Sequence, residues 1–355
     1  MASAASCLGQ RGSDYRAITC RRGKLRRVPA GFFHTLPVFG AMFLGGTTAD
    51  GEPMLMLSAE NPDKIQGFDA EVDKARLERF HLECYRADHV LQFGDAPFEE
   101  VAAGDRPDFT VTAGGQLVRL DCAALADHHR RLGFRLMDHL RERLIAGGGG
   151  RDFSGVAGCL LSVWFGEKLD DLPPKRWDDS IIEPLLDVIA DCKVDHAAIA
   201  RLIQEVAERG FPQVLPPVVE TGKTRDELAG FVANAVLGPT EGARFSTGLG
   251  FEVQLHLPEQ VTYGSAKANL DRIVRQHDQP QIEHLLLTAG GPDRVGTRFP
   301  GEEVIAGFLA EQPGLCVEVE HLQRVTLHLW SARRIVDVQL RPNRGDDTKR
   351  TDEAS

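Results

Sequence analysis

Arg106-Pro107-Asp108-Phe109-Thr110-Val111-Thr112-Ala113-Gly114-Gly115-Gln116-Leu117-Val118-Arg119-Leu120-Asp121-Cys122-Ala123 is the stretch on which the reading of the fold turns. Two short strand-like runs, 108–112 and 116–122, flank Ala113-Gly114-Gly115, the pattern of a hairpin closed by a tight glycine turn. Side chains alternate along a strand, so Arg119, Asp121 and Ala123 share one face. Val118, Leu120 and Cys122 share the other, which the pattern assigns to the core. Pairing across the turn brings Asp108 and Asp121 within reach of one cation. Two carboxylates with water ligands suit Mg²⁺ or Mn²⁺, which prefer oxygen donors.

Upstream, Leu77, Phe80, Cys84, Ala87 and Leu91 recur at steps of three and four and predict an amphipathic helix. On that seam Glu83 borders the apolar stripe, and Glu78 points away into solvent. Downstream, a helix is expected over 124–145, stopped by the glycines 147–150. The apolar run 156–165 reads as a buried central strand. A capping-box pattern, Ser180 and Glu183, precedes an Ile/Leu-rich helix. Helices are also expected over 195–209, 266–277 and 302–311, strands over 251–257 and 284–288, and a closing hairpin over 325–330 and 334–340. Helices and strands interleave from 68 to 340 without a Pro/Ser linker. The expectation is one α/β (α+β) domain, a mixed sheet flanked by helices.

The order helix, Pro-Asp, variable spacer, acid-x-x on the next strand resembles the PD-(D/E)xK nuclease superfamily over residues 72–144. The resemblance implies a restriction-endonuclease-like core and a Mg- or Mn-dependent nuclease. It makes Asp108 and Asp121 the metal ligands and Glu83 the helix glutamate. The family carries a lysine where this chain has Ala123. Arg119, on the same strand face, supplies positive charge but stays protonated and is no ready base. His129, on the seam with Leu125, Leu132, Leu136 and Leu140, is the other candidate to face the site. Metal alone can also lower the pKa of water. The missing lysine keeps a second reading open: a catalytically inactive nuclease-fold scaffold or an intracellular protein-interaction domain.

The net charge of −11 is unlike that of a protein that grips nucleic acid over its whole surface, so a nucleic-acid partner requires a local patch. A protein partner or a homo-oligomer is equally compatible. Seven cysteines, without a C-x-x-C pair, argue against a disulfide framework or structural zinc and for a cytoplasmic, reducing setting. No apolar run reaches the length of a membrane span. Arg21, Arg22, Lys24, Arg26 and Arg27 precede an apolar stretch, 31–46, in the manner of an export signal, but Pro37 and His34 interrupt it. Residues 1–67 are therefore expected to be a poorly ordered extension, and 341–355 a disordered tail. Glu220-Thr221-Gly222-Lys223-Thr224 ends like a phosphate-binding loop but has Pro217 where the motif needs glycine. The loop 288–294 reads as structural, because Glu302 and Glu303 at the following helix start repel anions.

Overall fold

The computed structural model describes residues 35–38, 41–65, 68, 71–193, 197, 201, 228, 231–239, 250–255 and 259–342. The basic run at 21–27, the expected helix at 195–209, the segment at 220–224 and nearly all of the expected tail lie outside those residues.

The chain divides into two compact units, Met1–Ala126 with Pro258–Ser355, and Asp127–Leu257, where a single domain was expected. The first carries strands β1 (Thr35–Val38), β2 (Ala41–Thr47), β3 (Pro53–Glu60) and β4 (Asp63–Lys64), then helix α1 (Lys74–Phe93) and strands β5 (Val101–Ala103), β6 (Phe109–Ala113) and β7 (Gln116–Ala124). The second carries α2 (His128–Ile145), β8 (Cys159–Phe165), α3 (Glu183–Asp191), β9 (Val232–Pro239) and β10 (Glu252–Leu255). The chain then resumes the first unit with β11 (Glu259–Thr262), α4 (Tyr263–His277), β12 (His284–Ala289), β13 (Thr297–Arg298), α5 (Pro300–Ala310), β14 (Cys316–Val319), β15 (Arg324–Leu329) and β16 (Arg334–Pro342).

The first unit is built on a mixed seven-stranded sheet, ordered β14-β16-β15-β12-β7-β6-β5. Strands β5, β6 and β7 form an antiparallel meander, and β12 runs parallel to β7 with Leu285 opposite Asp121. Gly114 and Gly115 (φ 55° and 77°) make the two-residue turn between β6 and β7, which needs positive φ at both positions. Along the core-bearing strands the two faces differ. Leu120, Cys122 and Leu286 join Leu82 and Tyr85 of α1 in one cluster. Leu285, Leu287, Val325 and Leu327 join Leu270 and Val274 of α4 in another. Strands β1, β2, β3 and β11 form a separate four-stranded sheet, so residues 35–60 contribute strands where an extension was expected.

The second unit has its own core. Leu136, Leu140 and Leu144 of α2 pack with Val163 of β8, Ile181 and Phe251. Strand β8 is the centre of a three-stranded sheet, as its continuous apolar run predicts. Helix α2 begins at His128, capped by Asp127, whose carboxylate accepts from Arg130 N–H, later than the expected start at 124. A π-helical turn, Asp178–Ile182, leads directly into α3, so Ser180 is inside the helical run and not its cap. No helix among the described residues is long and apolar enough to cross a membrane.

Helix α1 starts at the cap Asp73, which accepts from Arg76 N–H at 2.7 Å, and ends at Gly94 in the left-handed region (φ 91°). Its sheet-facing stripe is Lys74, Glu78, His81, Tyr85, Asp88 and Gln92, spaced by three and four. His81 Nε2 lies 3.0 Å from Pro292 O, and Asp88 Oδ2 2.9 Å from His328 Nε2. Gln92 donates to Ile335 O and accepts from Ile335 N–H. The expected apolar seam is rotated from this stripe, for Leu91 is 67% exposed. The buried face of α1 mixes Leu82, Cys84 and Tyr85 with His81 and Asp88, and the sheet beneath supplies partners for the polar ones.

Candidate active site

Towards the β5 edge of the seven-stranded sheet, Asp108 immediately precedes β6 and Asp121 lies within β7, and both are buried. A tight loop aims Asp108. Gly104 N–H donates to Asp108 O at 2.9 Å, and a Cβ at Gly104 would stand 2.4 Å from Pro107 O. Asp108 Oδ2 accepts from Cys122 N–H at 2.9 Å, and Asp121 Oδ1 accepts from Asp108 N–H at 3.1 Å. Each carboxylate is bonded to the backbone of the other's strand segment, which sets the two acids side by side. The hairpin juxtaposition read from the sequence is thus realised.

The helices add what the hairpin lacks. Lys74 Nζ at the start of α1 bridges Glu78 Oε1 at 3.0 Å and Asp108 Oδ1 at 3.4 Å. Glu78 is only 12% exposed in its side chain and lies in the field of both aspartates. From the end of α4, His277 Nδ1 lies 2.7 Å from Asp121 Oδ2. With Asp121 ionised and therefore acceptor-only, Nδ1 is the protonated ring nitrogen.

These contacts split the acids. Burial pushes Asp108 up from the ordinary carboxyl range, and the charge of Asp121 adds to it against the Cys122 amide. Burial opposes ionisation of Asp121 as well, but the His277 ring and the Asp108 N–H outweigh it and hold Asp121 below its ordinary range. Glu78 is raised by burial and by the two aspartates, against the pull of Lys74. Lys74 is raised by its bond to Glu78, with Asp108 adding to it. Two neighbouring acids pushed in opposite directions are a common mark of a functional site.

Three of the residues singled out from sequence are placed elsewhere. Glu83 pairs with Arg79 at 3.0 Å, and Glu78, expected in solvent, is instead largely buried and paired with Lys74. The rotated stripe of α1 is the reason. Arg119 is turned to Glu283, whose Oε2 accepts from both Arg119 N–H and Nε–H. His129 belongs to the second unit and pairs with Asp170 at 3.0 Å, its side chain 39% exposed and not on an apolar seam. Lys74 and His277 were missed. Lys74 sits one residue past a good helix cap and looks solvated; His277 reads as an ordinary residue at a helix C-terminus.

Among the described residues no group of three or more His, Cys, Asp or Glu stands in metal-ligating geometry. The chemistry of the donors still fits a hard divalent ion. Mg²⁺ is commonly held by one or two carboxylates with water filling the other positions, and a carboxylate oxygen that accepts one donor keeps a further lone pair.

Comparison with known proteins finds no matching family model, no matching curated protein and no matching solved structure.

Proposed function

We propose that this protein is a divergent metal-dependent phosphodiesterase of nuclease type, built on the frame of the PD-(D/E)xK superfamily. Asp108 and Asp121 hold a Mg²⁺ or Mn²⁺ ion, and Glu78 stands beside them as the third acid. The observation that carries this reading is the pairing of Asp108 with Asp121 across the hairpin, with Glu78 of α1 linked to Asp108 through Lys74. When bound, the ion lowers the pKa of water and offsets charge on the phosphate. The chain's own residues keep the acids in place: Cys122 N–H and Asp108 N–H fix the carboxylates, and His277 fixes the rotamer of Asp121. The substrate polyanion is met locally, since the chain as a whole is acidic.

One observation favours a second reading, an inactive scaffold or protein-interaction domain on the same frame. All four oxygens of Asp108 and Asp121 already accept from donors of the protein: Lys74, Cys122, Asp108 N–H and His277. One assay separates the two. Single- and double-stranded DNA and RNA oligonucleotides are incubated with wild type and Asp108→Asn in Mg²⁺ or Mn²⁺. Cleavage by wild type alone supports the phosphodiesterase; inert protein with every substrate and metal leaves the scaffold reading.

A further inference from the structure

We propose that the docking of α1 on the seven-stranded sheet is a pH-sensitive latch, closed at neutral pH and released by acid through His284 of β12. The inference stands on the packing of α1 and holds whether or not the site cleaves phosphodiesters.

The three histidines that are buried among the described residues, His81, His284 and His328, stand where α1 meets the sheet. His81 of α1 lies against Pro292 O, and His328 of β15 pairs with Asp88 of α1. His284 is two residues before Leu286, which joins Leu82 and Tyr85 of α1 in one cluster, so alternation turns its ring to the same side. There it ends a hydrogen-bonded chain across three strands. Arg324 of β15 donates to both oxygens of Asp337 of β16, at 3.0 and 2.9 Å. Thr326 O–H donates to Asp337 Oδ1 at 2.8 Å, and its oxygen accepts from His284 Nε2–H at 2.9 Å. The chain fixes the tautomer: Nε2 carries the proton and Nδ1 carries none.

An imidazolium does not suit this arrangement. A proton on Nδ1 would put a charge in the interior beside the Arg324 guanidinium, whose counterion Asp337 is already engaged. Burial holds His284 far down, from 6.5 to about 3, with Arg324 adding to the effect and Asp337 opposing it. The other titratable groups on this face are Cys122 of β7, His328 of β15, and His81, Tyr85 and Asp88 of α1. Burial raises Cys122 and Tyr85, so both are neutral, and Asp88 is bonded to His328. The Tyr85 hydroxyl is buried without a hydrogen-bond partner among the described residues, which adds to the cost of keeping α1 down.

Lifting α1 admits water to His284 and restores its ordinary pKa. The lifted form therefore takes up a proton that the docked form excludes. Docking is fully favoured above about pH 6.5 and loses ground as pH falls from there towards about 3. From pH 7.5 to 5.0 this one histidine raises the opening constant about 30-fold. Helix α1 carries Lys74 and Glu78, so its release takes both away from Asp108.

Amide hydrogen exchange of the full chain, corrected for the intrinsic rate at each pH, reads the opening of α1 against that of α4 on the other face of the sheet. Between pH 7.5 and 5.0 the opening of α1 should rise about 30-fold, while α4 stays within about threefold. His284→Gln, whose neutral amide can still donate to Thr326, should flatten the rise to under about threefold. The ratio between the two pH values is the readout, so a variant that is merely less stable still reports. Should that variant not fold, NMR of the wild-type His284 ring decides. Shifts that stay constant from pH 7.5 to 5.0 support the latch, and a titration with its midpoint near 6.5 overturns it. A rise that persists in His284→Gln, an α1 whose opening ignores pH, or α1 and α4 opening together overturns it as well.

Discussion

Replacing Asp108 by asparagine should make the protein more stable at neutral pH, which is the reverse of what a buried, hydrogen-bonded side chain ordinarily does. The asparagine oxygen can still accept from Cys122 N–H, so that bond survives. What disappears is the repulsion between two carboxylates in contact. Two like charges at about 4 Å in an effective dielectric of about 20 repel by about 4 kcal/mol. Lys74, His277 and nearby solvent screen much of that. The lost ion pair with Lys74 subtracts about 1 kcal/mol at most, because the lysine is exposed. The balance is a gain of about 1 kcal/mol. Asp108 is raised in the folded state, so its contribution is most favourable below the unfolded pKa of about 4 and is lost as pH rises through the folded value. The advantage of the asparagine variant should therefore shrink as pH falls through the raised folded value of Asp108 and be gone below its unfolded pKa of about 4. The assay is denaturant-dependent amide exchange read on β7 and β12, which isolates the first unit from the unfolding of the second. A variant that is less stable than wild type at pH 7, or an advantage that ignores pH, would refute the reasoning.

Other perturbations test the frame around the site. Asp278 accepts from three backbone amides, Glu320, His321 and Leu322, and Asp278→Ala should cost about 3 kcal/mol in chemical denaturation. Its pKa is lowered in the fold against the opposing effect of burial, so that contribution is present above about pH 4 and disappears as pH falls through the lowered value. Gly104→Ala forces a carbon towards Pro107 O, should cost about 2 kcal/mol, and should displace Asp108 enough to reduce Mn²⁺ binding in calorimetry. Asp88→Ala takes the carboxylate from fully buried His328 and should destabilise by about 3 kcal/mol, measured by the same denaturation.

The hairpin was legible because it is local. Two strand-like runs and Gly114-Gly115 specify the register, and the register places Asp121 beside Asp108. The presence of α1 was legible too, but its orientation was not. Hydrophobic periodicity finds a face through its apolar residues alone, and here His81 and Asp88 share the buried face with Leu82, Cys84 and Tyr85. That rotation is why Glu83 looked like the site glutamate and Glu78 did not. The contact of His277 with Asp121 spans 156 residues, and no local pattern announces it. The boundary of the second unit was also silent. Its entry is a capped helix directly after β7, with none of the Pro- or Ser-rich composition that marks a linker. The strands at 35–60 were obscured for a different reason: an apolar run after a basic one looks like an export signal, whichever structure it adopts.

The most direct measurement is calorimetric titration of Mn²⁺ into wild type and into the Asp108→Ala/Asp121→Ala double variant, with circular dichroism to establish that both are folded. The account predicts saturable binding to wild type that vanishes in the double variant. Binding that persists in the folded double variant, or a wild type that binds no Mn²⁺ with or without an oligonucleotide present, would contradict it.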